Sequence, residues 1–305
     1  MSNRIANYHQ IARRLTGGRK RVLSIGAACD RDLLESVSLA SETAGIEALL
    51  YGDAQGIERI LSEISFKGKA TVADVKDGIE ATRDAVRAVR EGKADVLMKG
   101  QVNTSDFMRA VLDAEIGLRT GRLLSHLASF EVAGTDRLLF VTDGGINIAP
   151  GLAEKKEILI NALLALQALG YDAPRVAALT ANEQVNPKAP ATVDAAEIAE
   201  AWKGGAFTQY SPGCVVEGPM ALDVALSREA AEHKGLKSEI AGETDLFLVS
   251  SIEVGNVLGK SMANIAKAKM AGVVLGASSP IVLTSRAESA ESKLNSIVLA
   301  TACAA

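Results

Sequence analysis

Two stretches of the chain set cations and hydroxyls directly behind apolar runs, and both have the chemistry of an anion site. In PIVLTSRAESAESKL (residues 280–294) an apolar, β-branched run ends at Thr284, Ser285 and Arg286, after which helical periodicity begins. Ser285-x-x-Glu288 fits a capping box, in which each side chain satisfies a backbone N–H at a helix start. The same free N–H groups and positive dipole end attract anions. Arg286 adds a two-pronged phosphate donor that capping alone does not require. On a helical wheel begun at Ser285, the residues Ala287, Ala290, Leu294, Ile297 and Val298 share the inward face, with Ser285, Ser289, Ser292 and Ser296 opposite.

The second stretch, DVLMKGQVNTSDFMRAVL (residues 95–112), ends an apolar run at Lys99-Gly100 and starts a helical pattern near Asn103-Thr104. Lys99, Thr104 and Arg109 would gather an ammonium, a hydroxyl and a guanidinium at one strand end. A cap at Asn103 or Thr104 and a solvated Arg109 are the plainer alternative. A third cluster, GLRTGRLLSH (residues 117–126), brings Arg119, Arg122 and His126 into a glycine-containing loop; a lone histidine is more often structural than catalytic. In FVTDGGINIAPG (residues 140–151), a Gly-Gly turn behind a buried run lets a ligand approach the backbone.

These clusters need a scaffold that brings strand ends together. The chain alternates short apolar runs with longer helical patterns almost throughout, which implies a mostly parallel sheet covered by helices on both faces. RVLSIGAA, IEALLYG, KATVAD, ADVLMKG, DRLLFVTDGG, PRVAALT, TDLFLVSS, AGVVLGA and PIVLTS read as strands. Helices are expected from Asp30 to about Thr43, from Asp77 to Glu91, from Thr104 to Leu112, over AEKKEILINALLALQALG, from Thr192 to Trp202, from Ala221 to His233, and over VGNVLGKSMANIAKAKM. A new βα series opens near Gly134-Thr135 and the chain returns near Gly276. The expected organisation is two α/β domains: residues 1–134 with 276–305, and residues 135–275. In such sheets ligands bind outside the carboxyl ends of the strands, where these junctions lie.

The chain has 305 residues, 48% of them hydrophobic and 23% charged, as soluble globular proteins do. Its net charge of −4 argues against a general nucleic-acid or membrane-surface binder. Cys29, Cys214 and Cys303 lie far apart without C-x-x-C pairing, and His9, His126 and His233 lack metal-ligand spacing, so neither a disulfide framework nor a metal is expected. The amino-terminal residues carry charges throughout, and no apolar run reaches the roughly 20 residues of a membrane span, which makes a cytoplasmic location the expectation. There is no G-x-G-x-x-G, P-loop, G-x-S-x-G or H-E-x-x-H.

Taken in order, LMKGQVNTSDFMRAVL, GLRTGRLLSH, LLFVTDGGINIAP, NPKAPATVDA, EGPMALDVA, EVGNVLGKS and ASSPIVLTSRAES resemble the phosphate acyltransferases, and the butyryl branch more closely than the acetyl branch. The likeness spans roughly residues 99–300; before it, only the general pattern matches. It implies a two-domain, three-layer α/β/α fold of the isocitrate/isopropylmalate-dehydrogenase kind, with an interdomain cleft and a homodimer. It also implies the reversible reaction acyl-CoA + phosphate ⇌ acyl phosphate + CoA, with coenzyme A as substrate and no bound cofactor or metal. Carried over by position, Ser285 and Arg286 match the family's Ser-Arg pair, which holds the phosphoryl group. Arg109, with Thr104 near it, falls where the acetyl branch has an anion-binding arginine. Asn256 and Lys260 match a Gly-Asn…Lys segment, and Gly218, Pro219 and Asp223 a Gly-Pro…Asp segment. Lys99, Arg119 and Arg122 complete the phosphate and CoA candidates.

One departure bears on mechanism. The acetyl branch has an aspartate seven residues after the serine, proposed to take the CoA thiol proton, and here that position is Ser292. A free thiol with a pKa of about 8.5 is only slightly ionised at neutral pH. Glu288, then Glu291, are the replacement candidates; clustered cations are the alternative. Three other readings stay open: acetyl as the main acyl group, a non-catalytic CoA or acyl-phosphate binding module, and a NAD-dependent decarboxylating dehydrogenase of the same fold.

Overall fold

The computed structural model describes residues 4–284 and 288–304. In chain order it begins α1 (Tyr8–Thr16), β1 (Val22–Gly26), α2 (Arg31–Ala44), β2 (Glu47–Gly52), α3 (Ala54–Glu63), β3 (Ala70–Asp74), α4 (Gly78–Arg90), β4 (Val96–Lys99) and α5 (Thr104–Val111). Then come β5 (Ser125–Glu131), β6 (Leu139–Thr142), α6 (Leu152–Ala168), β7 (Arg175–Leu179), α7 (Pro190–Lys203), β8 (Val215–Met220), α8 (Leu222–Leu226) and α9 (Arg228–His233). The last elements are β9 (Leu246–Leu248), α10 (Ile252–Asn264), β10 (Lys269–Leu275), β11 (Ile281–Val282) and α11 (Ala290–Cys303). The chain divides into two compact units, Asn7–Arg122 with Met270–Ala305, and Met1–Ala6 with Leu123–Lys269.

In the first unit the strands run in the order β3-β2-β1-β4-β11-β10. The pairs β2–β3, β1–β2, β1–β4 and β4–β11 are parallel, and β10 runs antiparallel to β11. All four residues of β4 are buried, as a strand covered on both faces requires. Local signals set the helix starts. The Asp30 carboxylate accepts from the Leu33 N–H at 2.7 Å and opens α2, whose Leu33, Leu34, Val37 and Ala40 are buried; Gly45, at φ 69°, closes it. Asp77 opens α4 in the same way.

The final helix departs from expectation. It starts at Ala290 rather than Ser285, because Ser289 is its cap: the Ser289 hydroxyl accepts from the Ser292 N–H at 3.2 Å. Ser285 and Arg286, with Ala287, lie outside the described residues. The solvent-facing serine stripe is also interrupted. Ser296 is completely buried, donating to the Ser292 carbonyl at 2.8 Å and accepting from the Gly272 N–H at 3.0 Å. Packed against α1, α2, β4 and β11, α11 is buried along most of its length, so polar residues on its far side must find internal partners.

In the second unit β6, β9, β7 and β8 are neighbours in that order and parallel, with β5 antiparallel on the other side of β6. Its core includes Phe140, Phe247, Val176 and Leu246, all fully buried, and Phe140 meets Tyr171 edge-on with ring centroids 5.7 Å apart. The first residues of the chain dock here. Ile5 is fully buried, and Arg4 reaches Glu243 at 2.5 Å and the buried Asp245 at 2.8 Å.

The unit boundaries fall at 122/123 and 269/270, not at the expected 134/135 and 275/276. Strand β5, hidden in a stretch that reads as a glycine-containing loop, pairs with β6 from Leu127↔Thr142 to Phe130↔Leu139, which carries residues 123–134 into the second unit. Strand β10 pairs with β11 through Val274↔Ile281, which carries its residues into the first. The expected single helix over 221–233 is two, α8 and α9. Ser227 takes extended dihedrals between them, and its hydroxyl caps α9 by accepting from the Ala230 N–H. Strand β8 also lies outside the expected set: its Gly218-Pro219 reads as a turn, yet proline is tolerated where a strand has one ladder partner, here β7. Among the described residues no helix is long and apolar enough to cross a membrane.

Candidate functional site

In the first unit, parallel pairing sends β1, β4 and β11 out at the same sheet edge. Val282 sits beside Met98 and Gly26 beside Lys99, so β1, β4 and β11 end together at that edge. The β1 and β4 ends touch through their backbones. A Cβ on Gly100 would lie 2.2 Å from the Ala27 carbonyl oxygen, so only glycine fits there. Gln101, after β4, hydrogen-bonds through its amide to the carboxylate of Asp30, the cap of α2. The strand-end loops are thereby fastened to one another.

The expected cations divide by burial. Lys99 is buried, and its ammonium donates to the Gly100 and Val102 carbonyls at 3.2 and 3.1 Å. Those bonds hold the β4–α5 turn. Thr104 is exposed as the first residue of α5, and Asn103 precedes it without a side-chain capping bond. Arg109 is 74% exposed and pairs with Asp106, one turn back on the same helix, at 2.7 Å. Arg119 and Arg122 are exposed in the following loop, where Thr120 donates to the Gly276 carbonyl at 2.6 Å and accepts from the Arg122 N–H at 3.3 Å. Glu288 is partly exposed immediately before the α11 cap. Ser292 faces Ser289, hydroxyl to hydroxyl, at 3.2 Å.

Asn256 and Lys260 belong to the second unit, both exposed on α10. Helix α10 follows β9 and packs closely on the turn after β6: a Cβ on Gly255 would lie 2.6 Å from the Gly144 Cα. That turn is organised by a residue the sequence does not single out, Asp143. Its buried carboxylate accepts from the N–H groups of Gly145 (2.8 Å), Ile146 (3.0 Å), Asn147 (3.4 Å) and His126 (3.1 Å), and from the Asn147 side-chain amide at 2.7 Å. The signal that finds it is Asp-Gly-Gly behind a buried strand, since an aspartate carboxylate commonly closes a turn onto the N–H groups two and three residues ahead.

The His126 ring lies against this turn. A Cβ on Gly145 would come within 3.0 Å of its Cγ and 3.1 Å of its Nδ1. Nδ1 is enclosed without a hydrogen-bond partner. Burial lowers the imidazole pKa, opposed by the nearby negative charge of Asp143. In the Gly-Pro…Asp segment, Asp223 pairs with Lys234 at 2.9 Å, which holds its carboxyl below the ordinary value.

The arrangement presents exposed cations at the strand edge of the first unit and a tight glycine turn with an enclosed histidine nitrogen at that of the second. Residues 46–301 match a sequence family described as phosphate acetyl/butaryl transferase. The phosphate butyryltransferase of Clostridium beijerinckii is 42% identical over 300 residues, covering 98% of each chain. The phosphate acetyltransferase of Thermotoga maritima is 38% identical over 282 residues, 92% of this chain and 95% of that one. A branched-chain phosphotransacylase from Enterococcus faecalis superposes with a TM-score of 0.83 at 31% identity, covering 93% of this chain and 99% of that one.

Proposed function

The chain belongs to the phosphate acetyl/butaryl transferase family, and on that premise we propose that it moves a short acyl group, butyryl or similar, between coenzyme A and inorganic phosphate. The observation that carries this is the near-full-length identity to a phosphate butyryltransferase. In one direction the CoA thiolate attacks the acyl-phosphate carbonyl, a tetrahedral oxyanion forms, and the C–O bond to phosphate breaks. In the other, phosphate oxygen attacks the thioester and the thiolate leaves. The protein must hold two anions together and donate to the oxyanion.

Ser285 and Arg286 take the phosphoryl group in this scheme, and Glu288 accepts the thiol proton in place of the family aspartate, where Ser292 stands. Support for Glu288 is its partial exposure next to the cap, whereas Ser292 sits inside the first turn of α11 bonded to that cap. Arg109, Arg119, Arg122 and Thr104 attract phosphate and CoA, with Asn256 and Lys260 contributing from the second unit; Lys99 acts by holding the turn that presents Thr104. The two units correspond to the domains of an isocitrate/isopropylmalate-dehydrogenase-like fold. The working form is a homodimer, for which the exposed Val254 and Val257 of α10 and Ile265 beyond it are the physical motive; sedimentation velocity checks it.

The direct test is CoA release from acyl-CoA esters of two to six carbons, with and without phosphate. Phosphate-dependent release, fastest with four-carbon or branched esters, is expected. Fastest release with acetyl-CoA assigns the acetyl branch instead, and no release with any ester overturns the reading.

A further inference from the structure

Among the described residues, His126 brings an enclosed ring nitrogen without a hydrogen-bond partner to the strand edge of the second unit. Its main chain is fixed at both ends: the N–H donates to Asp143, and the carbonyl accepts from the Thr142 hydroxyl at 2.8 Å. One ring face rests on Gly145, and Nδ1 is enclosed without a partner. The residue as a whole is nevertheless only half-buried. Nε2, unlike Nδ1, is not among the enclosed unpartnered atoms, which leaves it as the ring nitrogen able to meet a ligand.

The tautomer follows from this geometry. A neutral imidazole carries one donor and one acceptor nitrogen. An enclosed N–H without an acceptor is costlier and rarer than an acceptor lone pair left empty. Nδ1 is therefore the bare nitrogen and Nε2 carries the proton. Protonating Nδ1 would enclose a cation beside a carboxylate, Asp143, that is already committed to five N–H donors, so the geometry favours the neutral ring. What results is a donor of fixed direction and no net charge, at the carboxyl end of β6 and β9, where α/β sheets bind their ligands. A dianionic phosphoryl group is better served by the exposed arginines. A neutral N–H beside a carboxylate suits a neutral carbonyl oxygen that gains charge only during reaction.

We propose that His126 is a catalytic residue of this enzyme, donating a hydrogen bond from Nε2 to the carbonyl oxygen of the acyl group as that oxygen becomes an oxyanion. The inference rests on the phosphate acyltransferase reading. Loss of one such donor lowers kcat by about 100-fold in comparable sites.

Three variants test it, each measured for kcat, for KM of acyl-CoA and of phosphate, and for melting temperature. His126→Gln places an amide N–H near the position of Nε2 and should keep most of kcat. His126→Asn places its amide near Nδ1, and His126→Phe keeps the ring without a donor; both should lose about 100-fold in kcat with both KM values nearly unchanged. A folded His126→Phe that retains kcat overturns the proposal, as does a defect confined to the KM for acyl-CoA. Equal kcat for the Gln and Asn variants overturns it too, and that comparison decides the matter if the Phe variant does not fold. A wild-type chain without phosphate-dependent acyl-CoA consumption overturns this proposal and the underlying reading together, whereas an active wild type with unaffected variants overturns only this one.

Discussion

The strand edges of the two units solve different problems. In the first, the arginine candidates are exposed and lightly held: among the described residues Arg109 pairs with Asp106 of its own helix. Such an exposed i,i+3 pair is worth about 0.3–0.5 kcal/mol and is easily exchanged for a phosphate partner. In the second, the polar groups are bonded on several sides: Asp143 is almost fully enclosed and takes five N–H donors, and His126 is held through its backbone and its ring face. Coulomb attraction is long-ranged and tolerates side chains that swing, whereas a hydrogen bond to a developing oxyanion requires fixed direction. On the proposed reading, anion capture falls to the first edge and shaping of the reacting carbonyl to the second.

The largest effect should come from Arg286, to which the proposed function gives the phosphoryl group. Arg286→Ala is expected to lower kcat/KM by roughly 1,000-fold, because a bidentate, charge-assisted contact to the phosphoryl group has no substitute. Arg286→Lys should recover only part of it, since a point charge lacks the planar fork. Steady-state kinetics with acyl-CoA and phosphate measures both, and a loss below tenfold for the alanine variant would show that Arg286 supplies attraction alone.

Next comes the frame of the second edge. Asp143→Ala leaves five N–H groups of the turn and of β5 without their acceptor, in a buried setting, and should cost about 3 kcal/mol of stability. Urea denaturation monitored by circular dichroism measures the loss. Asp143→Asn should cost less, because an amide oxygen still accepts. An alanine variant as stable as the wild type would mean that the turn is held by the packing of Gly144 on Gly255 instead.

How much of this was legible in the sequence depends on the kind of signal. Strand β4 and helix α5 fall within two residues of expectation, because an apolar run, a Lys-Gly stop and an Asn-Thr start all agree. Strand β5 does not: SHLASFE mixes small and polar residues, and its burial comes from pairing with β6, distant information that no local window holds. At α11 two serines compete for the cap, Ser285 and Ser289, and the sequence favours the one with a glutamate three residues on; tertiary burial of the helix selects the other. Among the site residues, exposed arginines stand out by chemistry alone. Lys99 looks the same in sequence, yet its burial turns it inward onto carbonyls. Asp143 becomes visible only when its donors are seen to converge. His126 carries an even weaker mark, because an unpartnered nitrogen is a property of three-dimensional enclosure.

A smaller effect is expected at Arg109. Replacing it with alanine should raise the KM for phosphate or CoA about tenfold, one charge-assisted contact's worth, and leave the melting temperature within a degree or so, since surface pairs contribute little. Adding salt should shrink the difference between variant and wild type, as Coulombic capture by an exposed charge is screened. A KM shift that salt does not touch would place Arg109 among the direction-fixing groups and weaken the contrast between the edges.

The smallest effect tests whether the second edge truly excludes charge. Burial lowers the His126 pKa in the folded state, so as pH falls below the ordinary histidine value of about 6.5 the unfolded chain takes up a proton that the folded chain refuses. More protons bound by the unfolded state means stability declines as pH falls, and the decline ends only once pH passes below the lowered folded value. For one group the slope cannot exceed about 1.4 kcal/mol per pH unit. Other titrating groups contribute as well, and subtracting the His126→Gln variant removes them, because it lacks this proton and little else. The stability of the wild type minus that of the variant should therefore shrink between pH 7 and pH 5. A difference that stays flat would mean the imidazole protonates as readily folded as unfolded, and one that grows would mean Asp143 holds it charged; in either case the second edge would be a second site of charge, and the division of labour between the two edges would fail.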